Sequence, residues 1–267
     1  DRTMNQQVGI VGVGNMGEAL LSGLLKSGTN SQDIIFAQQS DERAAVVEAK
    51  YGISRRSLAE VAAADVILLC VKPKDVAAVC SEMAPHMKKD SVLVSVAAGK
   101  TIEGIQSIVG DGIGVIRVMP NTPTFLGKGA AGISMGSHIP PAQAEFVRNL
   151  FAAGGTIVEV PEELQSAVTA TSGSGPAYFF AFVEAMVEGG KKLGLSEEVA
   201  TKLAIQTIVG AAAMLDESGK SATQLRENVT SPNGTTHAAL TVFQESHLQE
   251  IVANAMAASA KRSQELA

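Results

Sequence analysis

The stretch Gly12-Val13-Gly14-Asn15-Met16-Gly17 has the spacing G-x-G-x-x-G. It follows the apolar run Val8-Gly9-Ile10-Val11 directly and opens a helical stretch over 18–26. In a strand–turn–helix setting that spacing serves a diphosphate. Gly12 permits the tight turn, Gly14 lets the backbone approach the anion, and Gly17 lets helix and strand pack closely. Unpaired N–H groups at the helix start then face the negative charge. The pattern predicts a nicotinamide dinucleotide held by Val11, Gly12, Val13, Gly14, Asn15 and Met16. The plain alternative is an ordinary glycine-rich turn.

The second strand, over 34–37, ends in Gln38-Gln39-Ser40. An NAD site usually places Asp or Glu there for the ribose 2′-hydroxyl. Here the acids Asp41 and Glu42 come later, at the next helix. Amides and a hydroxyl can donate to a 2′-phosphate, and Arg43, Arg55 and Arg56 are candidate counter-charges or else solvated surface. NADP(H) is the expected cofactor, with NAD(H) as the alternative.

In an open α/β sheet the ligand lies at the carboxyl ends of the strands. Three further strand ends stand out: Cys70-Val71-Lys72-Pro73, Val96-Ala97-Ala98-Gly99 and Met119-Pro120-Asn121-Thr122-Pro123. Small residues and prolines there make turns against which a flat ring can lie. Lys72 reads equally as a surface lysine. In the second half, Ser231-Pro232-Asn233-Gly234-Thr235-Thr236 lies between two helical stretches. Hydroxyls and N–H groups at a helix start suit a carboxylate, and an ordinary N-cap loop is the alternative.

These residues need a scaffold. Apolar runs over 8–11, 34–37, 66–71, 92–96, 114–118, 130–135 and 156–160 read as strands alternating with helices. The pattern predicts an α/β fold: a doubly wound, mostly parallel Rossmann-type sheet followed by an all-helical domain. Beyond Val160 the helical candidates are 162–170, 177–193, 196–216, 222–228, 235–245 and 248–266. The boundary is placed so that 1–160 form the dinucleotide-binding domain and 161–267 a helical domain. Abundant Ala and Gly predict closely packed helices in that second half.

The 267 residues are 46% hydrophobic with a net charge of −6, which excludes a disordered chain and gives no basic track for nucleic acid. Cys70, Cys80 and four histidines show no metal-ligand spacing, so no metal is expected. No apolar run of the length needed to span a bilayer stands out, and no signal sequence, so no membrane partner and a reduced cytoplasmic setting are expected. The residues ahead of Met4 read as an expression remnant or a processing scar.

Taken together, the chain resembles the Δ1-pyrroline-5-carboxylate reductases. The resemblance is carried by Gly12 to Gly17, Val71-Lys72-Pro73, Val96-Ala97-Ala98-Gly99, Met119-Pro120-Asn121-Thr122-Pro123, Gly173-Ser174-Gly175-Pro176-Ala177 and residues 225–240. The last stretch, Arg226-Glu227-Asn228-Val229-Thr230-Ser231-Pro232 running into Gly234-Thr235-Thr236, is the most specific. The resemblance implies reduction of L-1-pyrroline-5-carboxylate to L-proline by hydride transfer from NAD(P)H, the last step of proline biosynthesis. It implies that Thr236 lies near the ring nitrogen and is the catalytic residue. Ser231, Pro232, Asn233, Gly234 and Thr235, with Gly175 and Pro176, would hold the substrate. It also implies a helical domain that interlocks with a second copy, in homodimers that often build decamers. Four positions depart from the family pattern. Gln38-Gln39 stand where Ser, Asn or Arg is common, Ser57 where an Asn meets the adenosine ribose, and Thr235 where Ala is common.

An iminium carbon is already electrophilic, so the protein needs to orient donor and acceptor and exclude water rather than supply a strong acid. The nearest rival, a β-hydroxyacid dehydrogenase, needs a Lys and an Asn for proton chemistry where this chain has Phe179 and Val183. A non-catalytic NADP sensor would not need the 231–236 segment. The aromatics of Tyr178-Phe179-Phe180-Ala181-Phe182 read as core or dimer interface.

Overall fold

A computed structural model describes residues 6–267. The stretch ahead of Met4 lies outside the described residues. Two compact units emerge. The first comprises the described residues up to Ser174 with Ala258–Ala267, the second Gly175–Ala257. Strands end at Glu159, but the first unit continues through a short helix and one π-turn before the chain leaves it.

In the first unit, β1 (Val8–Val11), α1 (Asn15–Lys26), β2 (Ile34–Ala37), α2 (Asp41–Tyr51), β3 (Ser54–Arg55), α3 (Leu58–Ala62) and β4 (Val66–Leu69) follow in order. Then come α4 (Val76–Met83), β5 (Val92–Ser95), α5 (Ile102–Val109), β6 (Gly114–Met119), β7 (Gly129–Met135), α6 (Pro141–Ala153), β8 (Gly155–Glu159) and α7 (Gln165–Val168). The strands form one sheet in the order β3-β2-β1-β4-β5-β6-β7-β8. Every pairing is parallel except β6 with β7. The strand order reverses between β2 and β4 around β1, which opens a crevice at their carboxyl ends.

All four residues of β1, β2, β4 and β5 are buried, as a sheet covered on both faces requires. Alternate residues serve opposite cores. Val8, Ile10, Phe36, Leu68 and Val94 pack beneath Leu20 and Leu24 of α1 and Val147 of α6. Ile35, Ile67, Leu69 and Leu93 pack with Val61 of α3, Met83 of α4 and Ile105 of α5. Fully burying one such side chain stabilises by about 1.5–3 kcal/mol. These strands therefore hold the crevice rigidly from below. The four crossover helices α3, α4, α5 and α6 and the short strand β3 are elements that the sequence pattern leaves unassigned.

The second unit contains α8 (Gly175–Lys192), α9 (Glu197–Glu217), α10 (Ala222–Asn228), α11 (Thr235–Glu245) and the first part of α12 (Leu248–Glu265). Ser196 caps α9 by accepting from the Val199 N–H, with Glu197 and Glu198 in the first turn. Ser221 and Gln224 form a reciprocal capping box on α10. The small residues do allow close packing: a Cβ on Gly190 would lie 3.1 Å from that of Ala200. Helix α9, at 21 residues and mean hydropathy 1.3, is long and apolar enough to cross a membrane by length and composition alone. Lys202 and Gln206 break its apolar run, so the helix passes on its average rather than on an unbroken stretch. Many apolar side chains of this unit are exposed, among them Phe179 at 60% and Phe180 at 65%.

Candidate functional site

A cleft of about 1000 Å³ lies at the carboxyl ends of β1, β2 and β4, where the strand order reverses. That volume suits a dinucleotide-sized ligand. Nine of the cofactor residues expected from the sequence line it: Val11, Gly12, Gly14, Gln38, Gln39, Ser57, Cys70, Val71 and Lys72.

The three glycines of the turn differ in what surrounds them. Gly12 takes φ +85°, open to few residues with a side chain. A Cβ on Gly17 would stand 2.3 Å from the Gly12 carbonyl oxygen, so helix and turn touch there. Nothing lies within 4 Å of a Cβ built on Gly14, which faces the open cleft. Gly14 is also the N-cap of α1 and offers no side-chain acceptor. The first N–H groups of α1 are thus left for an anion. These residues fit a dinucleotide diphosphate.

The β2 tip fits NADP. Asp41 is turned away to Arg55 Nη1 at 2.7 Å and does not line the cleft. Arg55 also donates through Nε to the Gln38 carbonyl at 3.0 Å. Arg56 lines the cleft with only a loose ion pair, 3.8 Å from Glu60. It is the lining arginine with the fewest protein commitments. Ser57 lines the cleft while capping α3, accepting from the Glu60 N–H at 3.2 Å. Arg43 departs from the counter-charge reading: it turns inward to Glu18 and to the Val13 carbonyl, away from the cleft lining.

The remaining expected residues take other places. Val13 is buried in the core, and Met16 packs half-buried against it. Asn15 begins α1 and is exposed. Ser40 caps α2, accepting from the Arg43 N–H at 3.1 Å, and does not line the cleft. Pro73 starts the short 3-10 turn after Lys72. Val96, Ala97 and Ala98 follow β5, next to β4 in the sheet. Asn121 has a side chain committed to protein: Nδ2 donates to the Ser172 carbonyl at 3.0 Å and Oδ1 accepts from the Ala130 N–H at 2.8 Å. All peptide bonds among the described residues are trans, including those of Pro120 and Pro123.

Sequence reasoning missed the far wall of the cleft. Lys74, Asp75, Ala78, Val79 and Glu82 line it from α4 and the turn before it. Their spacing of one helical face was readable once Lys72-Pro73 is taken as a helix start. Burial pushes the Cys70 thiol up to about 12, so it remains a neutral wall rather than a nucleophile.

In the second unit, Ser231, Pro232, Asn233 and Gly234 form a turn in which the Gly234 N–H donates to the Ser231 carbonyl at 3.1 Å. Asn233 adopts φ +57°, a left-handed conformation that Asn tolerates. Gly234 caps α11 without a side-chain acceptor, so the N–H groups of Thr235 and Thr236 open the helix unclaimed by a cap. Thr236 is half-buried and Thr235 exposed. Gly175 and Pro176 begin α8.

Residues 162–266 match the family model described as pyrroline-5-carboxylate reductase dimerisation. Residues 7–99 match that of NADP oxidoreductase coenzyme F420-dependent. A pyrroline-5-carboxylate reductase of Corynebacterium melassecola is 41% identical over 97% of this chain and 98% of its own length. The chain belongs to the pyrroline-5-carboxylate reductase family. A solved pyrroline-5-carboxylate reductase from Coxiella burnetii superposes with TM-score 0.91 at 32% identity, covering 98% of this chain and 99% of that one. The Plasmodium falciparum pyrroline carboxylate reductase, solved with NADP bound, gives TM-score 0.87 at 29% identity, covering 98% of each chain. The reductase family assignment makes this chain an NAD(P)-dependent oxidoreductase, and its dimerisation match makes it self-associating.

Proposed function

We propose that this reductase converts L-1-pyrroline-5-carboxylate to L-proline, the last step of proline biosynthesis, with NADPH as its preferred reductant. The observation that carries the reading is the cleft at the β1 switch point, built on the glycine turn and lacking an acid at the β2 tip, in a member of this family. Bound there, the reduced nicotinamide supplies a hydride to the carbon of the C=N bond.

The chain's own residues bind and orient. Gly14 and the start of α1 hold the diphosphate, while Gln38, Gln39, Arg56 and Ser57 meet the 2′-phosphate end. Val11, Gly12, Val13, Asn15, Met16, Ser40, Cys70, Val71, Lys72, Pro73, Val96, Ala97, Ala98 and Asn121 complete the cofactor side, some by shaping turns. Residues 161–267 serve as the substrate-binding and dimerisation domain. Ser231, Pro232, Asn233, Gly234 and Thr235 hold the substrate carboxylate on the open N-terminus of α11, with Gly175 and Pro176 beside it. The Thr236 hydroxyl hydrogen-bonds the ring nitrogen and orients the C=N bond, and water brings the proton. Protonation at nitrogen and hydride addition at carbon together give the saturated ring. The assembly is a homodimer that builds further into decamers, working in the cytoplasm.

Deuterium at the transferable position of NADPH tests the reaction. One deuterium on C5 of the proline formed is the expected result. Unlabelled proline, or NADPH oxidised without proline, would rule the reading out.

A further inference from the structure

Val13, between the first two glycines of the turn, is gripped on both polar atoms by side chains from beyond β2. Its N–H donates to Gln38 Oε1 at 2.9 Å, and its carbonyl accepts from Arg43 Nε at 2.7 Å. The Val13 side chain is buried in the core, so the residue is pinned from three sides. The Val13 carbonyl and the Gly14 N–H belong to one planar trans peptide and point in opposite directions. Drawing that carbonyl toward Arg43 therefore aims the Gly14 N–H the other way, on the residue that faces the cleft. It also removes a carbonyl oxygen that would repel phosphate oxygens.

Arg43 is held in this pose by Glu18 on α1, the helix that the turn opens. Nη2 of Arg43 donates to Glu18 Oε2 at 2.6 Å. The other carboxylate oxygen accepts from Lys50 Nζ at 2.8 Å and from the Tyr51 hydroxyl at 2.7 Å. Glu18 is 7% exposed and so is anchored on both oxygens within a buried setting. A charged, bonded group in such surroundings has little freedom to reorient.

We propose that Arg43, oriented by Glu18, is a positioning residue that sets the peptide between Val13 and Gly14 for diphosphate binding. It does so without touching the dinucleotide, since it does not line the cleft. This inference rests on the NADPH reading above. It differs from a merely stabilising ion pair in what it predicts for binding.

The test compares the wild type with Arg43→Lys and Arg43→Met, using NADPH and adenosine 2′-monophosphate as direct binding probes. The second probe carries the 2′-phosphate but no diphosphate. Lys keeps a cation beside Glu18 yet lacks the planar fork that reaches both Glu18 and Val13. The expected result for Arg43→Lys is an NADPH Kd and KM raised about tenfold, the loss of one charge-assisted hydrogen bond's worth of binding. The kcat stays near the wild-type value and the Kd of adenosine 2′-monophosphate is unchanged, which also shows that the cleft is folded. Arg43→Met, where it folds, shows the same split or a larger one. Unchanged NADPH binding in folded Arg43→Lys overturns the inference, as does an equal weakening of both probes. Failure of the wild type to bind NADPH would instead sink the functional reading itself.

Discussion

The Val13 N–H donates to Oε1 of Gln38 at 2.9 Å, so the residue at the β2 tip and the glycine turn are one hydrogen-bonded unit. The amide that accepts from the turn has its NH2 group left over at the cleft wall. Gln38→Glu keeps the acceptor and adds a negative charge where a 2′-phosphate would come. Like charges at close range cost several kcal/mol. NADPH kcat/KM is expected to fall about 10- to 100-fold, with NADH use unchanged or improved. Parallel steady-state kinetics with both cofactors check this, and an unchanged ratio would remove Gln38 from cofactor choice.

Gly14 and Gly17 separate binding from packing. Alanine at Gly14 meets no protein atom within 4 Å, so the fold should tolerate it while the new methyl obstructs the diphosphate. Alanine at Gly17 meets the Gly12 carbonyl at 2.3 Å and forces helix and turn apart. Gly17→Ala is expected to lose about 1–3 kcal/mol of stability, the usual cost of overpacking. Gly14→Ala should unfold at nearly the wild-type temperature yet bind NADPH about tenfold more weakly or worse. Thermal melts beside NADPH titrations read both effects. Equal losses of stability in the two variants would contradict the assignment.

Thr236 is half-buried at the start of α11, and in the proposed reaction it orients the C=N bond. Thr236→Ala is expected to lower kcat for imine reduction about tenfold or more, the scale of one hydrogen bond that tightens in the transition state. NADPH affinity should stay near normal. Turnover equal to wild type would take Thr236 out of the mechanism.

The loss of stability in acid has a named source in Glu18. Hydrogen bonds from Lys50 and Tyr51, joined by Arg43, hold its carboxyl down at about 2 against the opposing effect of burial, from an ordinary value of 4.5. A group depressed on folding stabilises above its unfolded value and loses that contribution as pH falls through the folded one. Wild-type stability should therefore drop between about pH 4.5 and 2 on this account. Glu18→Gln should be less stable at neutral pH and show a shallower decline across that window. Urea midpoints measured at successive pH values give the comparison, and parallel curves for the two proteins would refute it.

Phe179 and Phe180 project from α8 with most of their surface exposed, in the segment that matches the dimerisation family. Large exposed aromatic patches mark association surfaces. Phe179→Asp or Phe180→Asp is expected to yield smaller species in sedimentation, with loss of turnover. An assembly of unchanged mass would place the interface elsewhere.

Much of this was legible in the sequence, for physical reasons. Strands β1, β2, β4 and β5 are short apolar runs buried on both faces, and 34–37, 222–228 and 235–245 come out with their observed limits. The glycine turn was readable because steric demand admits few other residues. The crossover helices α3 to α6 were not, since α3, α4 and α5 run for eight residues or fewer and their boundaries lie among short turns. Arg43 shows the other limit. Its charge suggested a phosphate, but only coordinates reveal that Glu18 and the Val13 carbonyl claim it. Asn121 is similar, its amide being spent on Ser172 and Ala130 rather than left toward a ligand. A side chain's choice among partners is a tertiary matter that spacing does not encode.

The most direct test of the central claim is the rate at which the purified protein oxidises NADPH and NADH in the presence of pyrroline-5-carboxylate. The account predicts rapid oxidation with stoichiometric proline, faster with NADPH than with NADH. Dinucleotide binding without turnover on this imine would contradict it.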